Sequence, residues 1–95
     1  MTSINCIGEN NGLKPRILVV EDQILIATMI DAELRELGFA VVGPAYTLEQ
    51  AHKFACRNRL HAAVLAYELN SASTADLARA LKRRACPVLF ISALE

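Results

Sequence analysis

The sequence has no excess of charge of either sign. Ten lysine and arginine residues balance ten aspartate and glutamate residues, so the formal net charge is zero. A chain without net charge has no overall field that attracts nucleic acid or an anionic membrane surface. We therefore expect neither nucleic acid nor membrane among its partners.

Paired cysteines and long apolar runs are also missing. Cys6, Cys56 and Cys86 are widely spaced and form no CxxC pair, which argues against a zinc site and favours reduced thiols. No segment has the length needed to span a bilayer, and the N-terminus lacks the regions of a signal peptide. Together these absences predict a cytoplasmic protein.

The chain length allows one small domain. Residues 1–13 are rich in Asn, Ser and Gly and show no periodicity, which predicts a flexible N-terminal tail. Residues 14–95 hold the regular patterns and are predicted to form the domain. With 95 residues, of which 54% are hydrophobic, the chain can bury a single core with a thin stability margin.

Short apolar runs alternate with amphipathic segments from Arg16 onward. The runs that predict strands are RILVV (16–20), FAVVG (39–43), AAVLA (62–66) and PVLFI (87–91). Between them, apolar residues recur three or four apart, as helices require. In the first helix these residues are Ile24, Ala27, Ile30, Leu34 and Leu37. Alternating strands and helices predict an α/β fold with a doubly wound parallel sheet.

Polar residues and glycine mark the expected helix ends. Asp22 is a predicted N-cap of the first helix, and Gly38 is its predicted stop. Thr47, followed three residues later by Gln50, predicts a capping box for the second helix. Residues 71–74 predict a loop and a cap before a third helix over about 75–84.

An acidic pair, Glu21 and Asp22, directly follows the first strand. In open α/β sheets, ligands bind beyond the carboxyl ends of the strands, so the pair lies where a site is expected. Without a metal, repulsion between the two carboxylates should raise the pKa of one of them. A structural alternative is that Asp22 only caps the helix and that the helix dipole favours Glu21.

From Arg16 to the end, the sequence resembles the receiver domain of bacterial two-component response regulators. The matching stretches are VVED, LGFAVVGPA and FISA. The resemblance implies a flavodoxin-like receiver fold with strand order 2-1-3-4. Because the chain stops at Glu95, the fifth strand and helix of that fold are expected to be missing. It also implies a signalling module and not an enzyme.

In the family, the acidic pair and an aspartate closing the third strand hold Mg²⁺, and that aspartate accepts a phosphoryl group. The resemblance matches Glu21 and Asp22 to the metal-binding pair. It matches Ser92 to a switch hydroxyl and Glu68 to a residue that lends Mg²⁺ a backbone carbonyl. The acceptor position, however, is Ala66, whose methyl group can neither accept phosphate nor ligate a metal. The resemblance therefore implies a weak or vestigial Mg²⁺ site, no required cofactor and no catalytic residue.

Three functions stay open on these grounds. The first is a pseudo-receiver that binds a histidine kinase, another receiver or an output protein without phosphorylation. The second is a phosphoryl acceptor that uses an atypical residue such as Glu68 or Ser92. The third is a structural oligomeric fragment. Without a fifth strand, the run 87–91 would form an exposed apolar edge, which predicts a homo-oligomer.

Two further groups of polar residues are predicted to have structural and not functional roles. Arg79, Lys82, Arg83 and Arg84 form a basic cluster near the end of the third helix, where cations suit the helix dipole. We predict that this cluster is a solvated helix end and not a nucleic-acid patch. His61 precedes the third strand without a catalytic partner in the sequence, and a strand-end role is predicted for it.

Overall fold

The computed structural model describes residues 13–91, which contain six strands and three helices. The main sheet consists of β1 (Arg16–Val20), β2 (Ala40–Ala45), β3 (Ala62–Ala66) and β6 (Val88–Ile91). A small hairpin consists of β4 (Glu68–Leu69) and β5 (Ala72–Ser73). The helices are α1 (Ile24–Glu36), α2 (Leu48–Arg57) and α3 (Ala75–Arg83). Ser92 and residues 1–12 of the predicted tail lie outside the described residues.

The main sheet is parallel and has the order β2-β1-β3-β6. Since β6 is the fourth strand predicted from the sequence, the predicted order 2-1-3-4 is confirmed. One row of side chains shows the register: Val19 of β1 lies beside Val64 of β3, which lies beside Leu89 of β6. No helix within residues 13–91 is long and apolar enough to cross a membrane.

The larger part of the core lies between the sheet and helices α2 and α3. Alternate residues of the central strands face this layer, among them Leu18, Val20 and Leu65, none of which is exposed. The helices contribute Ala51, Ala55, Leu77, Ala78 and Leu81. Small alanines on α2 let its backbone approach the sheet closely, so branched strand residues can fill the space.

Helix α1 covers the other face and leaves more apolar surface open. Ala27 is its buried residue, as predicted. Ile24 and Leu37, also predicted to face the core, are 67% and 66% exposed, so the prediction was wrong at both ends of the helix. A 13-residue helix is about 20 Å long and a five-residue strand about 16 Å. The helix ends therefore extend beyond the strands they should cover.

Strand β2 continues past the glycine and proline where it was predicted to end. Gly43 has φ +103°, and a Cβ atom there would lie 2.7 Å from the Ala45 nitrogen. The pairing with β1 shifts at this point and resumes between Val20 and Ala45. Because β2 lies at the edge of the described sheet, Pro44 is tolerated although it has no N–H to donate.

The predicted end of the first helix at Gly38 and the predicted start of the second helix at Thr47 are confirmed. After α1, Gly38 has φ +97°, and the N–H of Phe39 donates to Leu34 O at 3.0 Å. These are features of a Schellman ending. At the start of α2, Thr47 Oγ1 accepts from the Gln50 N–H at 3.1 Å. The Gln50 side chain accepts in return from the N–H of Tyr46, one residue before the cap.

Candidate functional site

The carboxyl ends of three neighbouring strands meet around one small cavity. Glu21 and Asp22 follow β1, Ala66 ends β3, and Ile91 ends β6. The cavity measures about 150 Å³ and is lined by Glu21, Asp22, Gln23, Ala66, Tyr67, Glu68 and Ile91. The structure therefore brings together four residues that the sequence singled out: Glu21, Asp22, Ala66 and Glu68.

Glu21 is the buried member of the acidic pair. Its residue is only 3% exposed, and its backbone N–H donates to Ala45 O at 3.0 Å, extending the pairing with β2. Its carboxylate Oε2 accepts from the Gln23 N–H at 2.9 Å. Glu21 is thus held from both its backbone and its side chain, and it satisfies an N–H group at the start of α1.

The pKa of the Glu21 carboxyl is raised above its ordinary value. Burial is the main cause, because it disfavours the charged form, and the neighbouring Asp22 carboxyl raises the pKa further. The hydrogen bond from the Gln23 N–H acts in the opposite direction. The expectation that one carboxylate of the pair has a raised pKa is confirmed, although burial contributes more than repulsion.

Asp22 does not cap α1, so that prediction was wrong. The cap position is Gln23, whose side chain makes no capping bond. Asp22 Oδ2 instead accepts from the N–H of Asn70 at 2.8 Å, across 48 positions of sequence. Asp22 therefore ties the start of α1 to the β4–β5 hairpin.

The hairpin replaces the loop that was predicted over residues 71–74. Its two turn residues, Asn70 and Ser71, have φ of 51° and 72°, as a tight two-residue hairpin turn requires. Asn tolerates this left-handed conformation better than most residues. In the sequence, the dipeptide Asn70-Ser71 was the available signal for this turn. Each flanking strand, however, has only two residues, too few to show the alternation of polar and apolar residues that marks a strand.

Thr74 contacts the backbone at the end of β3, next to the cavity. It is fully buried, and its hydroxyl lies 2.6 Å from Ala66 O and 3.0 Å from Tyr67 O. The N–H of Ala75 is satisfied instead by Ser73 Oγ at 3.1 Å. Thr74 thus occupies the position of a helix cap, but its side chain holds the end of β3.

Tyr67, which lines the cavity next to Ala66, belongs to an aromatic pair. The rings of Tyr67 and Phe90 are stacked, with centroids 4.7 Å apart and planes 2° apart. Sequence reasoning did not identify this pair, because it depends on the register of β3 against β6. Tyr67 remains 58% exposed, so its ring presents a surface beside the acidic pair.

Comparison with known proteins gives matches in structure only. No protein-family model matches the chain, and no curated protein matches its sequence. The response regulator PhyR from Brucella abortus matches with 28% identity and a TM-score of 0.77, over 86% of this chain and 35% of that one. The non-phosphorylated HemR receiver domain from Leptospira biflexa matches with 29% identity and a TM-score of 0.75, over 84% and 65%.

A third match is the response regulator TrrA from Thermotoga maritima in complex with Mg²⁺ and BeF. It has 25% identity and a TM-score of 0.74, over 85% of this chain and 71% of that one. The chain has the fold of response regulator receiver domains. It spans 35% of PhyR and 65% of the HemR chain, so their other activities do not carry over.

The domain does not offer the residues for a firm Mg²⁺ site. Within residues 13–91, no three His, Cys, Asp or Glu side chains lie together so that they could hold a metal ion. Glu21 and Asp22 each already accept a backbone N–H with one carboxylate oxygen. Mg²⁺ demands near-octahedral oxygen ligands and gives up water reluctantly. Two partly engaged carboxylates therefore fit it poorly.

Replacing Glu21 with glutamine is expected to stabilise the domain at neutral pH. Folding raises the pKa of Glu21, so the folded state binds this proton more tightly than the unfolded state does. The protonated carboxyl of Glu21 therefore stabilises the folded state. This contribution is complete below the pKa that Glu21 has in the unfolded chain, and it is lost as the pH rises through the higher pKa of the folded state. Glutamine keeps an oxygen for the Gln23 N–H and carries no charge. The gain in unfolding temperature should disappear on acidification below about pH 4.

Thermal unfolding across a pH series, followed by circular dichroism, measures this difference. Glu33→Gln is the matched control, because Glu33 lies on α1 and is exposed. It should leave the pH profile of the unfolding temperature unchanged. A Glu21→Gln variant that is less stable than the natural chain at pH 7 would contradict the argument.

Proposed function

We propose that the chain is a signalling module of two-component type that does not accept a phosphoryl group and acts through protein–protein contacts. The observation that carries the proposal is Ala66 at the end of β3, in the same cavity as Glu21 and Asp22. A methyl group at this point provides no nucleophile and no metal ligand.

The charge around the cavity also argues against phosphoryl transfer. Among residues 13–91, its lining includes Glu21, Asp22 and Glu68 and contains no lysine or arginine. Catalysis of phosphoryl transfer depends on cations that offset the charge of the transferring group. Three carboxylates without a cation would instead repel a phosphate donor.

The partners that this function requires are other signalling proteins. We propose that the partner is a histidine kinase, another receiver or an output protein. We further propose that the chain binds this partner in the cytoplasm and that binding does not depend on phosphorylation. Tyr67 is a candidate contact residue, because it is exposed beside the cavity and held in place by stacking on Phe90. Exposed aromatic residues with restricted rotamers are common anchors of protein interfaces.

Incubation with acetyl phosphate and Mg²⁺, followed by intact mass measurement, tests this function. We expect no added phosphoryl group and, in parallel, no stable beryllofluoride adduct. A receiver with an acceptor aspartate serves as the positive control. A stoichiometric mass increase would overturn the proposal, and peptide mapping would then distinguish Glu68 from Ser92 as the acceptor.

We also propose that the chain self-associates through the region of residues 87–91. Within the described sheet, β6 pairs only with β3, so its other side presents unpaired backbone groups. Leu89 of this strand is 63% exposed. An apolar edge strand is a template for pairing with another chain, and a second copy would cover both its backbone and Leu89.

Replacing Leu89 with lysine is expected to weaken this association by roughly tenfold or more, because a charge on an edge strand opposes pairing. Light scattering over a concentration series should show a monomer for Leu89→Lys where the natural chain forms a dimer. Leu25→Lys is the matched control, since Leu25 is 74% exposed on α1. A natural chain that stays monomeric at high concentration would contradict the prediction.

A further inference from the structure

The net charge is zero, but the fold sorts the charges between its two ends. In a parallel α/β layer, the amino ends of strands lie at the same edge as the carboxyl ends of helices. Seven cations fall at or next to this edge, here called the basic edge: Lys14, Arg16, Arg57, Arg59, Lys82, Arg83 and Arg84. Five carboxylates fall at the opposite edge: Glu21, Asp22, Glu49, Glu68 and Asp76. One carboxylate, Glu36, ends α1 and therefore falls at the basic edge.

Within the part of the chain that the structure describes, no salt bridge neutralises a cation of the basic edge. The two salt bridges among residues 13–91 join Asp31 to Arg35 and Asp76 to Arg79. Neither includes a residue of the basic edge. A cluster of unpaired cations is electrostatically unfavourable by itself, and an anion bound between them would relieve this repulsion.

Backbone carbonyls hold two of these guanidinium groups in place. Arg84 donates to Ala55 O at 3.0 Å and to Asn58 O at 3.5 Å. Arg16 Nε donates to Arg59 O at 2.6 Å. Each arginine has further N–H groups beyond those used here. The predicted solvated helix end at Arg84 is thus part of a larger basic surface that includes the end of α2.

A pocket of about 360 Å³ lies in this surface, lined by Leu13, Lys14, Pro15, Arg16, Arg59 and His61. No carboxylate is among the described residues that line it. His61 Nδ1 accepts from the Arg16 N–H at 2.9 Å, so a neutral ring carries its proton on Nε2 and can donate it. This volume falls within the range of roughly 300–1,000 Å³ typical of small-ligand sites, whereas the acidic cavity of about 150 Å³ does not.

We propose that the pocket of the basic edge binds a small oligophosphate anion, such as the phosphate chain of a nucleotide. Arg16 and Arg59 supply guanidinium groups that match phosphate oxygens in pairs, and Lys14 supplies an ammonium point charge. Leu13 and Pro15 form an apolar part of the pocket wall, which can contact an uncharged part of the ligand. A compact pocket suits a small anion better than a nucleic-acid backbone, which is bound along an extended basic track. This site is independent of the proposed signalling function.

Isothermal titration of the whole chain with pyrophosphate and with ATP, both without Mg²⁺, tests the site. We expect saturable one-to-one binding of both probes, weaker at high ionic strength because salt screens the exposed charges. Arg59→Ala and Lys14→Ala should each weaken binding about tenfold, as expected for loss of one charge-assisted contact. Binding of pyrophosphate alongside ATP identifies the phosphate chain as the recognised part.

Lys53→Ala is the matched control, since Lys53 is an exposed cation within α2 and does not line the pocket. It should leave both affinities unchanged. No saturable binding of either probe at low ionic strength would overturn the proposal, and so would an equal loss in the Lys53→Ala variant. Tighter binding of a long single-stranded nucleic acid than of ATP would also overturn it. Circular dichroism of each variant verifies that it is folded.

Discussion

The variant Ala66→Asp is expected to bind Mg²⁺ roughly tenfold or more tightly than the natural chain, because it adds a carboxylate at the end of β3, next to Glu21 and Asp22. Ala66 is 8% exposed and shares that cavity with Glu21 and Asp22. A new carboxylate at the end of β3 would face the acidic pair across neighbouring strands. Titration with Mg²⁺ followed by calorimetry or by chemical shift measures the change.

The same substitution should destabilise the domain when no metal is present. A further negative charge beside the buried carboxyl of Glu21 adds repulsion and desolvation, at a cost on the order of 1–3 kcal/mol. Mg²⁺ binds only the folded state of such a site, so it should recover much of this loss. The unfolding temperature of Ala66→Asp should therefore rise with Mg²⁺ far more than that of the natural chain.

Ala66→Asn is the control for size and polarity, since asparagine has nearly the same shape as aspartate without the charge. It should show little dependence on Mg²⁺. If Ala66→Asp were equally insensitive to Mg²⁺, position 66 would not face the acidic pair, and the proposed loss of phosphoryl acceptance would lose its main support.

The variant Leu65→Ala is expected to lose about 2–5 kcal/mol of unfolding free energy, the range for removing a fully buried leucine side chain. Leu65 has no exposed surface and belongs to the core between the sheet and helices α2 and α3. Its strand, β3, lies between β1 and β6. The surrounding backbone is therefore held on both sides and is poorly placed to collapse into the cavity.

Denaturant unfolding measures this loss as a lower midpoint with an unchanged slope. In a domain of this size the unfolding temperature should fall by roughly 10 °C or more. Leu25→Ala is the matched control, because the same side chain is 74% exposed on α1 and its removal should cost less than about 1 kcal/mol. Similar losses in both variants would contradict the assignment of the core.

The alternation of strands and helices and most of the main core follow from short-range patterns in the sequence, whereas the strand order followed from the resemblance to receiver domains. Apolar runs of five residues predicted strands, and the segments between them showed helical spacing. Two predictions from these patterns were wrong, because they depend on geometry that a local sequence pattern does not report. Strand β2 continues through Gly43 because its positive φ lets pairing resume, and Ile24 is exposed because α1 is longer than the strands beneath it.

Part of the candidate site could also be predicted from sequence. Glu21, Asp22 and Ala66 each follow or end a strand, and parallel strands bring their carboxyl ends to one edge. Their shared cavity is therefore a consequence of topology. The bond between Asp22 and Asn70 is not, because the hairpin that positions Asn70 has strands too short to show a pattern.

By itself, the sequence determined which residues are apolar, where strands and helices alternate, and that an alanine closes the third strand. Only the tertiary structure decided which distant side chains meet. It holds Arg16 against the Arg59 carbonyl across 43 positions and Arg84 against the Ala55 carbonyl across 29. Local patterns report each residue's own segment, whereas such contacts depend on the register and orientation of several segments at once. A chain of zero net charge therefore acquires a basic edge and an acidic edge only when it folds.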